Sequence, residues 1–176
     1  MSFQIENREE MIKHFSPKGK GIEVGVQKGI FSKLILENCP DLELYMLDCW
    51  DYQKSDYNDV SNINNNEQAN NMIETIENVK PNFSRAKLIK GYSEEVSQYF
   101  PDSFFDFIYI DANHAYEPVL KDLNIWYPKL KNNGLFCGDD YSHLCGVPQA
   151  VNEFANMKNI QFNVTGGHSN WFFIKP

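Results

Sequence analysis

Five carboxylates in this 176-residue chain stand at or beside the ends of short apolar runs: Glu23, Asp48, Asp111, Asp139 and Asp140. The runs are Gly21-Ile22-Glu23-Val24-Gly25, Leu42 to Leu47, Phe105 to Ile110 and Gly134 to Gly138. They read as strands, and the unbroken apolarity of Phe105 to Ile110 fits a parallel strand buried on both faces. In an open parallel sheet, ligands sit outside the carboxyl ends of the strands, at the point where strand order reverses. Carboxylates gathered on that edge repel one another unless a cation or hydrogen-bond donors compensate them. The pattern therefore calls for a positively charged ligand, a metal ion, or both.

The first of these strands enters a turn that reads Glu23-Val24-Gly25-Val26-Gln27-Lys28-Gly29. Gly25 and Gly29 permit close backbone approach to a ligand and a sharp entry into a helix. The dinucleotide fingerprint G-x-G-x-x-G is absent, because Gly21 precedes the strand core and position 27 is Gln. Asp48, 23 residues beyond Gly25, is placed to accept hydrogen bonds from both hydroxyls of a ribose. Its other reading is a loop anchor or helix cap. His114 follows Asp111 by three residues; it is a candidate general base for a hydroxyl proton, or a plain surface residue. His143 is the reserve base, and His168, beside Gly166-Gly167, is a candidate acceptor contact.

The elements that carry these residues follow from periodicity. Residues 1–18 read as an amphipathic lead-in helix, apolar at Ile5, Met11, Ile12 and Phe15 and broken by Pro17. Phe31 to Asn38 reads as a helix with Leu34 and Ile35 on one face. Residues 49–71, rich in Asn, Asp, Ser and Tyr, read as a long loop, with helix resuming near Glu67 and running to Val79. Ala86 to Lys90 is a third strand, followed by Gly91-Tyr92-Ser93 and a short helix. Tyr116 to Leu130 and Pro148 to Met157 read as helices; Ile160 to Val164 and Trp171 to Ile174 read as hairpin strands. This alternation predicts an α/β fold: one domain over residues 1–176, with a doubly wound, Rossmann-like, mostly parallel seven-stranded sheet. An antiparallel strand is expected at the carboxyl end and helices on both faces.

Composition narrows the function. Apolar residues at 42 % and aromatics at 14 % supply one layered core. With 24 acidic against 16 basic residues and a net charge of −8, the chain lacks the cationic surplus that neutralises phosphates, so nucleic acid is not an expected partner. No apolar stretch approaches the ~18 residues of a membrane span, and the amino terminus MSFQIENREEM lacks the apolar core of a secretion signal. Cys39, Cys49, Cys137 and Cys145 show no paired zinc spacing and read as reduced residues. A cytoplasmic location is the expectation.

Residues 21–36, GIEVGVQKGIFSKLIL, resemble the first motif of class I S-adenosylmethionine-dependent methyltransferases. Residues 105–141, FDFIYIDANHAYEPVLKDLNIWYPKLKNNGLFCGDDY, resemble a branch of small-molecule and sugar O-methyltransferases related to macrocin O-methyltransferase, and more distantly the catechol enzymes. The resemblance implies S-adenosylmethionine as cofactor, with Glu23, Gly25 and Gly29 lining its methionine end. It likewise implies Asp48 on the ribose, Trp50 flanking the adenine, Tyr92-Ser93 near the base, and Asp111 facing the methyl donor. Asp111, Asp139 and Asp140 resemble the ligands of Mg²⁺ or another divalent cation in the metal-dependent members, whereas the catechol enzymes carry Asn at the last position. A hard cation takes such oxygen ligands, and the acceptor hydroxyl would complete its shell with a lowered pKa. Asp139 and Asp140 have a second reading, as caps of the loop after the fifth strand.

The expected reaction is in-line displacement at the sulfonium methyl, driven by alignment and by deprotonation of a hydroxyl by metal, His114 or both, with Asp111 and His114 as the catalytic candidates. Trp50, Tyr52, Tyr57, Tyr116 and Tyr141 are available to an acceptor. Aromatic faces with carboxylates suit a sugar ring, so a glycan or other small-molecule hydroxyl is the expected acceptor, ahead of a catechol-like phenol. A homodimer is a further expectation. The rivals are a nicotinamide-dependent oxidoreductase, disfavoured by the missing third glycine and an edge that repels pyrophosphate, and a non-catalytic cofactor-binding module.

Overall fold

The computed structural model describes residues 4–53, 59–142, 145–167 and 169–176. Tyr57, His143 and His168 lie outside the described residues. Seven strands form one sheet: β1 (Gly19–Val24), β2 (Leu42–Asp48), β3 (Ala86–Lys90), β4 (Phe105–Ile110), β5 (Leu130–Gly138), β6 (Asn163–Val164) and β7 (Trp171–Ile174). Their spatial order is β3-β2-β1-β4-β5-β7-β6. The first five strands pair in parallel, and β7 runs antiparallel to both β5 and β6. Strand order reverses between β1 and β4, which sets the ligand edge at their carboxyl ends.

Helices cover both faces because adjacent sheet residues point opposite ways. Met46, Phe107, Tyr109 and Cys137 join Met11 and Ile12 of α1 (Arg8–Phe15), Phe31 and Ile35 of α2 (Ile30–Asn38) and Val79 of α3 (Asn65–Val79) in one core. Leu47, Ile108, Ile110 and Phe136 meet Val96 of α4 (Ser93–Ser97), Leu123 and Trp126 of α5 (Tyr116–Trp126) and Phe154 of α6 (Val147–Lys158) in the other. Burial on two sides accounts for the continuous apolar runs. No helix among the described residues is long and apolar enough to cross a membrane.

Several boundaries move from the sequence expectation. Helix α5 stops at Trp126, not Leu130, because Pro128 lacks the N–H an α-helix needs; Tyr127–Lys129 tightens into a 3₁₀ turn. Strand β5 begins at Leu130 instead of Gly134, its polar Lys131-Asn132-Asn133 being a register irregularity with Asn133 at φ 64°. Helix α3 starts at Asn65, since the Asn64 side chain accepts from the N–H groups of Asn66 and Glu67. The strand expected over Ile160 to Val164 is only Asn163–Val164.

The strand ends are stitched by hydrogen bonds that extend the ladders into the loops. Gly25 N–H donates to Leu47 O (2.8 Å), Asp111 N–H to Val24 O (2.7 Å) and Asp139 N–H to Ile110 O (3.1 Å). Gly25 has φ 95°, and a Cβ there would stand 1.9 Å from the Asp111 carbonyl oxygen. The loops after β1 and β4 can meet only because that atom is absent. Gly25→Ala is expected to cost about 2–3 kcal/mol, as both strain and collision must be relieved. The urea midpoint of the variant against the parent checks this.

Candidate active site

A cavity of about 780 Å³ opens at the carboxyl ends of β1, β2 and β4. Of the residues singled out from the sequence, Glu23, Gly25, Asp48, Tyr92, Ser93, Asp111 and His114 line it. They come from four different loops and strand ends, so the topology alone assembles them.

Asp48 closes β2 and holds the glycine turn in place. Its Oδ2 accepts from the N–H groups of Val26 (2.9 Å) and Gln27 (2.8 Å), and its Oδ1 accepts from Trp50 N–H (2.7 Å). A carboxylate has about four acceptor positions. Three being taken, Asp48 is a loop anchor with room to accept from one ribose hydroxyl rather than two. Asp51, not singled out in the sequence, lines the same wall and accepts from the Tyr92 hydroxyl at 3.3 Å.

At the other end, Ser93 donates to Asp122 (2.5 Å) and accepts from Trp126 Nε1 (2.8 Å). Burial pushes the Asp122 carboxyl up to about 6, against the Ser93 hydrogen bond. Asp122 also lines the cavity and was missed. Its signal was legible: it lies three residues after Val119 and four before Trp126, on the apolar stripe of α5. A carboxylate there has no packing reason.

The acidic rim is compensated from within the protein. Arg8 Nη1 donates to Asp139 Oδ2 at 2.8 Å and stands 3.4 Å from Asp111 Oδ2. His114 places Nε2 2.9 Å from Asp140 and 3.8 Å from Asp111, and Nδ1 2.9 Å from Asp59. Hydrogen bonding to Asp111 and Asp140 pushes the imidazole up to about 11, so it stands protonated at neutral pH. This corrects the expectation of His114 as general base: an imidazolium among three carboxylates holds a proton instead of taking one. Asp111 itself is lifted to about 6 by burial, with Asp139 and Asp140 adding to the rise.

Three further expectations are corrected. Trp50 does not flank the cavity: it is 2 % exposed in the core and donates from Nε1 to Gln27 O (2.8 Å). Gly29, at φ 70°, caps α2 against Thr75 of α3, where a Cβ would come within 2.9 Å; its role is helix packing rather than lining the methionine end. Asp139 is not free to bind a cation. It accepts from Arg8 at Oδ2 (2.8 Å), and from Asn170 Nδ2 (2.7 Å) and Asp140 N–H (2.9 Å) at Oδ1. Both carboxylate oxygens are taken by protein donors, one of them the Arg8 cation. The three-carboxylate metal set Asp111, Asp139 and Asp140 therefore does not fit. Among the described residues, Asp111, His114 and Asp140 can gather ligand atoms within 4.8 Å of one another.

Among the described residues, the aromatic platform expected of Tyr52, Tyr116 and Tyr141 does not line the cavity either, whereas Phe31 and Tyr92 do. Arg8 gave no signal in its spacing, since it lies 103 residues from Asp111 and 131 from Asp139. Its scarcity was the only clue: Arg8 and Arg85 are the only arginines in the sequence.

Glu23, 1 % exposed, accepts from the Ser32 hydroxyl inside the site, and burial pushes its carboxyl up to about 8 from an ordinary 4.5. Between those pH values the folded chain keeps a proton that the unfolded chain has released, so stability falls as pH rises through this window. Glu23→Gln is expected to raise Tm by roughly 3–6 °C at high pH and leave it unchanged near the lower value. Thermal melts across the window check the sign.

Comparison with known proteins agrees with this geometry. A family model described as a methyltransferase domain matches residues 22–141. A 46-residue stretch is 35 % identical to uncharacterized protein R132 of Acanthamoeba polyphaga mimivirus, covering 26 % of this chain and only 21 % of that protein. The O-methyltransferase NovP superposes with a TM-score of 0.63 at 20 % identity, covering 95 % of this chain and 76 % of its own. An O-methyltransferase from Bacillus cereus, solved with SAH, gives 0.62 at 13 % identity over 95 % and 78 % of the two chains. A SAM-dependent methyltransferase from Aquifex aeolicus gives 0.60 at 17 % identity over 96 % and 88 %. The chain belongs to the methyltransferase-domain family, and its fold is the one that these solved methyltransferases share.

Proposed function

We propose that this chain transfers the methyl group of S-adenosylmethionine to a hydroxyl of a small polyhydroxylated acceptor, a sugar or glycan. The observation that carries the reading is the cavity at the β1–β4 switch point, with a ribose acceptor, Asp48, on one wall and the Asp111–His114 pair on the other. In this reading Glu23 and the Gly25 turn receive the methionine end, Asp48 and Asp51 accept from the ribose, and Ser93 with Asp122 faces the base. The adenosyl sulfonium is the positively charged ligand that an acidic edge favours.

Catalysis is chiefly alignment of hydroxyl oxygen, methyl carbon and sulfur, which removes the entropy of bringing two reactants together. The oxygen forms its bond to the methyl carbon as the carbon–sulfur bond breaks, leaving a neutral thioether. The hydroxyl proton goes to the Asp111 carboxylate, which lines the cavity. His114, hydrogen-bonded across Asp140 and Asp59, orients that carboxylate and the acceptor. O-methylation is also what the names of NovP and the Bacillus cereus enzyme state of those proteins.

The polar wall favours a sugar over a flat phenol. Gln53, Ser61, Asn62, Gln68 and Asn113 bring amide and hydroxyl groups to the cavity beside the acidic rim. Such groups match the many donors and acceptors of a pyranose edge.

Calorimetric titration should give saturable binding of S-adenosylhomocysteine and no heat with NAD; the reverse result would sink the proposal. Asp111→Asn should then lower methyl transfer to the best acceptor in a glycan and phenol panel by about 100-fold or more. The accompanying change in S-adenosylhomocysteine affinity should be smaller. Turnover is read with methyl-labelled cofactor.

A further inference from the structure

We infer that Arg8 is the resident cation of this centre: its guanidinium occupies the position between Asp111 and Asp139, so the chain binds its cofactor without an added divalent ion. The inference starts from the mismatch between the expected metal set and the oxygens of Asp139, which Arg8, Asn170 and the Asp140 N–H already hold.

Arg8 is built into the site. Its guanidinium carbon lies 4.5 Å over the centre of the Phe31 ring, and Phe31 packs at 4.5 Å on Tyr109. The guanidinium therefore has an aromatic face on one side and carboxylates on the other. Arginine suits this role because it is planar, always charged and weakly hydrated, and it presents several donors in one plane. Nη1 makes both carboxylate contacts, and a compact, strongly hydrated lysine would lack the planar face that lies over Phe31.

The helix that carries Arg8 is fixed to the rest of the fold. Asn7 caps α1 through its side chain, and Met11 and Ile12 are fully buried under the sheet. Ahead of the helix, Ile5 O accepts from Gly166 N–H (2.8 Å) and Glu6 O from Gly167 N–H (2.9 Å). The turn between β6 and β7 thus clamps the lead-in segment. Asn170, from the same turn, holds the other oxygen of Asp139. Arg8 and Asp139 are positioned from both ends of the chain.

A divalent ion approaching Asp111 and Asp139 meets a like charge already seated there and must displace it. It would also leave the guanidinium half-buried without its carboxylates, a costly state for a charge. The same contact gives the lead-in helix a second task, closing the cavity wall beside Glu23, since Arg8 lines that cavity.

The inference rests on reading this rim as the methyl-transfer centre, and the two are separated by measuring two ligands. S-adenosylhomocysteine binding reports the centre; Mn²⁺ binding reports the inference. The chain is stripped with EDTA, desalted and titrated calorimetrically with MnCl₂, alongside Arg8→Met and the double variant Arg8→Met/Asp139→Asn. The parent is expected to show no saturable Mn²⁺ binding below about 1 mM, and Arg8→Met to bind at least about 10-fold tighter, with the gain lost in the double variant. S-adenosylhomocysteine affinity of the stripped parent should change less than about twofold on adding Mn²⁺. Micromolar Mn²⁺ binding by the parent that Asp139→Asn abolishes would overturn the inference. So would a folded Arg8→Met that binds Mn²⁺ no better than the parent. If Arg8→Met does not fold by circular dichroism, the parent and Asp139→Asn titrations decide.

Discussion

Negative charges brought to one edge of a parallel sheet must be balanced, and the rest of this site is arranged around that requirement. Glu23, Asp48, Asp111, Asp139 and Asp140 reach adjacent strand ends because β1, β2, β4 and β5 are neighbours in register. Each is balanced differently. Asp48 is satisfied by backbone N–H groups, Glu23 by a serine hydroxyl and a raised pKa, Asp139 by Arg8 and Asn170, and Asp140 by His114. Asp111, shared between Arg8 and His114, is left facing the cavity. Buried carboxylates without such partners would neutralise or unfold the edge.

This arrangement separates two functions. Asp48, at the end of β2, is held by main-chain donors that do not titrate, which suits a binding wall that must keep one shape. The β4–β5 side is held by ion pairs between distant segments, whose strength depends on both partners being in place. Methyl transfer needs little from the protein except alignment and a proton acceptor. In the proposed reaction the wall at Asp48 takes the nucleoside and the charged rim takes the acceptor.

The fold was readable from local pattern. Continuous apolar strands, amphipathic helices and their strict alternation specify a doubly wound sheet, because both signals depend only on residues close in sequence. The strand-end carboxylates were readable for the same reason, as polar residues where packing explains nothing. So was the turn around Gly25, whose positive φ and collision with Asp111 O demand glycine. Boundaries moved where one residue's chemistry overrode periodicity, as Pro128 did in α5 and Asn64 at the start of α3.

The amino-acid order by itself therefore determined the sheet, its ligand edge and the kind of groups that stand on it. Only the tertiary structure decided how those groups are partnered. Trp50 and Gly29 sit close in sequence to the site but turn into packing, since their surroundings are set by α2 and α3. Arg8 is far away in sequence and lands on Asp139, carried there by a helix whose apolar face had to find the sheet. Charge pairing over more than a hundred residues leaves no periodic trace, because the partners need only meet in space and not in spacing.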